Sequence, residues 1–169
     1  MNAAKKKADA GGARPRSVAR MAAVQALYQM DLAGTDVGEV IDEFVSLRFQ
    51  DTKPDEDNAA GEGLESADAT FFADILRGVV KRQRDVDPLI DQQLATGWRL
   101  VRVDSILRAI LRAGVFELME RPDVPARVII NEYINVAHAF FSDDEPRVVN
   151  GVLDKIAHKL RPAELAPGQ

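Results

Sequence analysis

Arg16, Arg20, Val24 and Tyr28 follow one another at four-residue steps. On a helix that spacing lays them along one slowly wrapping strip, with two guanidinium groups near one end and a phenol further along. From residue types alone the strip reads as a solvated helix surface with Tyr28 half in the core. Groups that make or break covalent bonds are harder to find. The two histidines, His138 and His158, fall on different helical segments, and there is no cysteine. A zinc site would need a carboxylate-rich ligand set, and no spacing offers one. His138 reads as a partly buried helix residue and His158 as a favourable charge near a helix end. No glycine-rich phosphate loop occurs, since Gly61 and Gly63 lie in an acidic stretch. The serines lack a nucleophile-elbow context, and the carboxylates all have ordinary surface explanations. No catalytic residue, metal or cofactor is expected. The chain reads as a binding protein and not an enzyme.

Charge and composition narrow the partner. With 169 residues, 46% apolar and 29% charged, the chain has the make-up of one soluble globular domain. No apolar run is long enough to span a bilayer, and Lys5, Lys6 and Lys7 are not followed by a secretory apolar run. A cytoplasmic protein is expected. The net charge of −5 hides a polarity. Residues 1–20 carry Lys5, Lys6, Lys7, Arg14, Arg16 and Arg20 against Asp9 alone, whereas residues 51–70 carry seven carboxylates against Lys53 alone. An acidic total therefore does not exclude an anionic partner, because binding follows the local charge.

The elements that must position these groups are all helical. Val103, Ile106, Leu107, Ile110, Leu111, Gly114 and Leu118 recur at spacings of three and four and form one apolar stripe, with Ser105, Arg108 and Arg112 on another side. Around this central helix the sequence predicts a mobile basic tail over residues 1–13 and a first helix starting near Pro15–Ser17 and running to about Leu32. The inner side of that helix is Ala19, Ala22, Ala23, Ala26, Leu27 and Met30. A second helix is expected over Val37–Phe49, with Val40, Ile41, Phe44, Val45 and Leu47 on its apolar side, followed by a long acidic surface loop at 51–69. A third covers Ala69–Arg84, with Phe71, Phe72, Ile75, Leu76, Val79 and Val80 as its buried stripe, then a break at Pro88 and a shorter helix to Leu94. Gly97 ends that piece, and Trp98 and Leu100 anchor the link onward. After Pro125 the stripe is Ala126, Ile129, Ile130, Tyr133, Ala137, Phe140 and Phe141, with Glu132 a candidate partner for Arg112. Ser142 to Pro146 starts the last helix, which carries Val149, Val152, Leu153, Ile156 and Leu160, and residues 163–169 form a C-terminal tail. The fold class is all-α, a compact single-domain bundle of about seven helices spanning 14–162.

Several short stretches add a resemblance. Ala19-Arg20 and Ala23-Val24-Gln25-Ala26-Leu27-Tyr28 are followed by Ile110-Leu111-Arg112 and Phe116-Glu117-Leu118. Then come Asp123-Val124-Pro125, Ile130-Asn131-Glu132 and Val149-Asn150-Gly151-Val152-Leu153-Asp154. In this order, from Arg14 to Pro162, the chain resembles the NusB family. The resemblance implies an all-helical RNA-binding transcription factor. With NusE, a small-subunit ribosomal protein, it would bind boxA RNA and join an RNA polymerase antitermination complex, chiefly on ribosomal RNA operons.

The resemblance also implies site residues. The family meets RNA through its arginine-rich start and first helix, which maps onto Arg14, Arg16 and Arg20, with Tyr28 further along. Guanidinium groups bind phosphates and stack on unpaired bases, and aromatic rings stack too. Asp144 and Arg147, at the start of the last helix, match a region near the RNA; Arg147 would meet a phosphate, and Asp144 would orient or limit binding, or cap the helix. Arg112 and Glu132 also match but are assigned to the core. Three departures stand out: the arginine run is thinned to Arg14-Pro15-Arg16-Ser17, an aromatic residue common in the family is Val148 here, and the 51–69 loop is longer and more acidic. Such a loop would compete for the basic start, and its removal should tighten binding to unrelated RNA at low salt. The alternatives are a protein–protein adaptor, such as a homodimer packed on the alanine face of the first helix, or the RNA-binding module of an rRNA-modifying system.

Overall fold

A computed structural model of the chain describes residues 2–49, 68–94 and 103–165, with side chains from Pro15 onward in the first stretch. Trp98, Leu100 and most of the acidic loop lie outside the described residues. Among the described residues every regular element is helical: α1 (Asn2–Ala33), α2 (Val37–Glu43), α3 (Ala69–Gln93), α4 (Ser105–Glu120), α5 (Ala126–Phe140) and α6 (Glu145–Leu160). The helices sort into two compact units, residues 1–76 and 77–169, and the boundary falls inside α3.

In the first unit α1 buries Ala19, Ala22, Ala23, Val24 and Ala26 completely. It starts at Asn2, well before the expected Pro15–Ser17. Ala3, Ala4, Lys5, Lys6, Lys7 and Ala8 are good helix formers, and Pro15 interrupts only the bond back to residue 11. Gly34 ends the helix at φ 65°, its N–H donating to the Met30 carbonyl at 2.9 Å. Asp36 caps α2 by accepting from the Gly38 N–H at 3.0 Å.

The expected second helix runs on past α2 as one π turn, Phe44–Arg48, closed by the Phe49 N–H on the Phe44 carbonyl at 2.8 Å. The wider turn brings residues five apart into line, so Phe44 and Phe49 both face Phe72, with ring centroids at 5.3 and 4.9 Å. Leu47, expected on the apolar side, is 61% exposed as a result.

In the second unit α3 continues through Pro88 without the expected break. Val79, Val86 and Ile90 are buried on both sides of the proline, whereas Pro88 and Arg84 are exposed, so the carbonyl that loses its N–H partner faces water. Asp104 caps α4 through the Ile106 and Leu107 N–H groups at 2.9 and 3.4 Å. α4 is buried from Ala109 to Leu118 except at Arg112, and it packs on both α5 and α6. Gly114 makes this approach close: a Cβ there would lie 2.9 Å from Leu153 Cδ1 and 3.3 Å from Tyr133 Cδ2.

The end of α6 and the start of the stretch read as a tail both take part in this unit. Arg161 donates to the carbonyls of Glu117, Leu118, Arg121 and Val124 at 2.5–3.1 Å, closing the C-terminal end of α4. Glu164 accepts from the Ala126 N–H at the start of α5 at 2.5 Å and from Arg161 at 3.3 Å. Asn150-Gly151 is helical within α6, as its flanking apolar spacing predicts.

Candidate nucleic-acid interface

The arginine strip of α1 does not stay on the surface. Arg16 is 38% exposed at its side chain. Arg20 is 2% and Val24 0% exposed, and Tyr28 is half-buried. Four-residue steps overshoot whole helical turns by about 40° each, so the strip rotates inward at its middle. Both guanidiniums lie over the ring of Phe71, Arg16 at 4.8 Å and Arg20 at 4.9 Å from its centroid. Such contacts stabilise a cation by about 0.5–1 kcal/mol when exposed and more when desolvated. Arg20 is therefore a buried cation, and Arg16 is the arginine of the pair that reaches solvent.

Phe71 is held by the start of α3. Asp68 accepts from the Phe71 N–H through Oδ1 at 2.9 Å, and its carbonyl accepts from the Phe72 N–H at 2.9 Å. The Asp68 N–H in turn donates to the Pro15 carbonyl on α1 at 3.0 Å. Oδ2 of the same carboxylate stands 4.0 Å from Arg16 Nε. Neither Asp68 nor Phe71 was among the residues expected at the site. Phe71 reads from sequence only as part of a buried stripe. Asp68 carries a usable signal, an aspartate three residues before the apolar run of α3.

Arg14 lies on α1, but its side chain is outside the described residues. Tyr28 is twelve residues beyond Arg16, about 18 Å along the helix at 1.5 Å per residue. In the second unit Asp144 and Arg147 are both exposed and share the first turn of α6. The Asp144 carbonyl accepts from the Arg147 and Val148 N–H groups at 3.0 and 3.1 Å, while its side chain makes no capping hydrogen bond. The carboxylate is thus left at the surface beside Arg147, and negative charge there suits the positive end of the helix dipole. Val148 is half-buried.

The two residues assigned to the core divide. Arg112 binds Asp87 of α3 through two hydrogen bonds, at 2.9 and 2.8 Å, in place of the expected Glu132. Asp87 sits seven residues, about two turns, beyond Val80 at the end of the stripe read for the third helix, and the expected break at Pro88 hid it. His138 is exposed, not partly buried. His158 Nδ1 lies 2.8 Å from the Asp154 carbonyl in the last turn of α6. No group of three or more His, Cys, Asp or Glu residues suited to a metal occurs among the described residues. No helix among them is long and apolar enough to cross a membrane.

A sequence model of the NusB family matches residues 17–158. The chain belongs to the NusB family. It is 49% identical over 156 residues to the transcription antitermination protein NusB of Rhodopseudomonas palustris strain TIE-1, covering 92% of this chain and 86% of that protein. It is 54% identical over 148 residues to the protein of the same name from Caulobacter vibrioides, covering 88% and 95%. Among solved structures it superposes on T. maritima NusB with a TM-score of 0.70 at 24% identity, over 89% of this chain and 96% of that one. It also superposes on a structure of the antitermination factors NusB and NusE in complex with double-stranded RNA, with a TM-score of 0.66 at 23% identity, over 86% and 98%.

Within this NusB-family chain the quoted stretches have distinct physical roles. Glu117 is wholly buried and accepts the Tyr133 hydroxyl at 2.5 Å. Arg112 is tied to α3, and Gly114 admits Leu153. Asn131 and Asn150, from the two later stretches, line an open cleft with Arg127, Asp154 and His158. Much of the resemblance thus rests on residues that hold the second unit together.

Proposed function

We propose that this chain is a transcription antitermination factor that binds boxA RNA together with NusE, a small-subunit ribosomal protein. In this reading the pair joins the RNA polymerase antitermination complex, chiefly on ribosomal RNA operons, in the cytoplasm and without catalysis of its own. The observation that carries it is the likeness, at about half of all positions and across nearly the whole of both chains, to proteins named for transcription antitermination. The geometry of α1 supports it, because Arg16 presents a guanidinium to solvent on a helix whose N-terminal residues are rich in cations.

RNA binding is assigned to Arg14, Arg16, Arg20, Tyr28, Asp144 and Arg147, with different roles. Arg14 and Arg16 neutralise phosphates, and Arg147 does so at the start of α6. Arg20 acts from beneath by sharing the Phe71 platform with Arg16. Tyr28 offers a ring edge for stacking, and Asp144 orients the strand by excluding phosphate from its own position. The basic segment 1–13 adds non-specific attraction.

Titration of labelled boxA RNA and a scrambled RNA, with and without purified NusE, tests this reading. A boxA complex strengthened by NusE is the expected result. A stable homodimer indifferent to both RNA and NusE would replace the reading with that of a protein–protein adaptor.

A further inference from the structure

We infer that Asp68 is an internal competitor for the RNA phosphate at Arg16. The inference rests on the RNA-binding reading above and names how that same site is held in check. The carboxylate divides its two oxygens: Oδ1 accepts the Phe71 N–H at 2.9 Å as the cap of α3, and Oδ2 faces Arg16 Nε at 4.0 Å. The Asp68 backbone is fixed as well, donating to the Pro15 carbonyl, one residue before Arg16, at 3.0 Å. The anion therefore cannot swing aside without uncapping α3. Arg16 is open to an anion from solvent, because its side chain is 38% exposed and lies over Phe71 at 4.8 Å from the ring centroid. An incoming phosphate takes the place of Oδ2, and Arg16 turns outward to meet it. A carboxylate oxygen and a phosphate oxygen make the same charge-assisted contact with a guanidinium, so one substitutes for the other. Asp68 thus lowers the affinity for any polyanion at Arg16.

Asp68→Asn tests this in the full-length chain. Asparagine caps a helix as well as aspartate, so α3 keeps its cap while the competing charge is lost. The probes are labelled boxA RNA and an unrelated single-stranded RNA, each titrated across a salt series. Asp68→Asn is expected to tighten both by about two- to five-fold at low salt, the size of an exposed ion pair released. The salt slope should steepen by about 0.7 for the added uncompensated charge. Arg16→Ala should weaken binding, and Arg16→Ala combined with Asp68→Asn should bind no better than Arg16→Ala alone. If Asp68→Asn melts early, Asp68→Ser keeps a cap and serves in its place. Weakening by Arg16→Ala with no gain from either Asp68 variant would overturn the competitor role and leave the RNA-binding reading standing. No effect of Arg16→Ala would remove Arg16 from the RNA site, and the competitor role with it.

Discussion

Asp87 of α3 grips Arg112 of α4 with both carboxylate oxygens, at 2.9 and 2.8 Å, and the two side chains are only 25% and 16% exposed. The paired geometry matches the fixed fork of a guanidinium. Asp87→Ala leaves a largely buried cation without that acceptor, and a loss of about 1–3 kcal/mol in unfolding free energy is expected. Arg112→Lys should not recover the parent stability, because an ammonium cannot span both oxygens. Urea denaturation of the three proteins checks this, and a lysine variant as stable as the parent would show that charge alone sufficed.

Tyr133 and Glu117 make a second such pair, deeper in the same unit. Both residues are 0% exposed, and the phenol donates to Glu117 Oε2 at 2.5 Å. Tyr133→Phe keeps the ring and removes the donor, so a buried acceptor loses a partner at a cost of about 1–3 kcal/mol. The expected result is a lower urea midpoint with an unchanged slope. An unchanged midpoint would mean that another donor satisfies Glu117.

What was legible in the sequence follows from the kind of force involved. The stripe of α4 and the alanine face of α1 were readable because burial of an amphipathic helix depends on spacing within one segment. The partner of Arg112 was not, since Glu132 and Asp87 are equally good carboxylates until the helices are placed. The π turn at Phe44–Arg48 escaped because its aromatic residues are five apart, a spacing that neither helix nor strand patterns pick out. At the candidate site the cations were legible as residue types, but the burial of Arg20 and the Phe71 platform depend on where α3 begins against α1. Arg161, which closes α4 from forty residues away, gave no local sign at all.

Two glycines are expected to respond with opposite signs. A Cβ on Gly78 would stand 2.0 Å from Phe116 Cε2 and 2.2 Å from Cζ, on a ring only 3% exposed, whereas one on Gly151 meets nothing within 4 Å. Both lie inside helices, where alanine is favoured over glycine by about 1 kcal/mol. At Gly151 that preference acts alone, so Gly151→Ala should stabilise by about 0.5–1 kcal/mol. At Gly78 the displaced ring outweighs it, and Gly78→Ala should destabilise by about 1–3 kcal/mol. Thermal melts of the two variants decide the matter. Destabilisation by Gly151→Ala, or a gain from Gly78→Ala, would contradict the packing described.

The two arginines over Phe71 should separate in their phenotypes. Arg16 is part-exposed, so Arg16→Ala is expected to leave the melting temperature nearly unchanged, as substitutions at the surface do, while flattening the salt slope of RNA binding by about one unit. Arg20 is 2% exposed with its guanidinium 4.9 Å from the ring centroid, so Arg20→Ala removes a buried cation and leaves a void beside Phe71. A stability loss of about 2 kcal/mol is expected from that combination of lost packing and lost contact. At temperatures where the variant remains folded, its salt slope should fall by less than that of Arg16→Ala. The reverse pattern, with Arg20→Ala as stable as the parent and short of one unit of salt slope, would make Arg20 the residue that meets phosphate. The buried arrangement would then have to open when RNA binds.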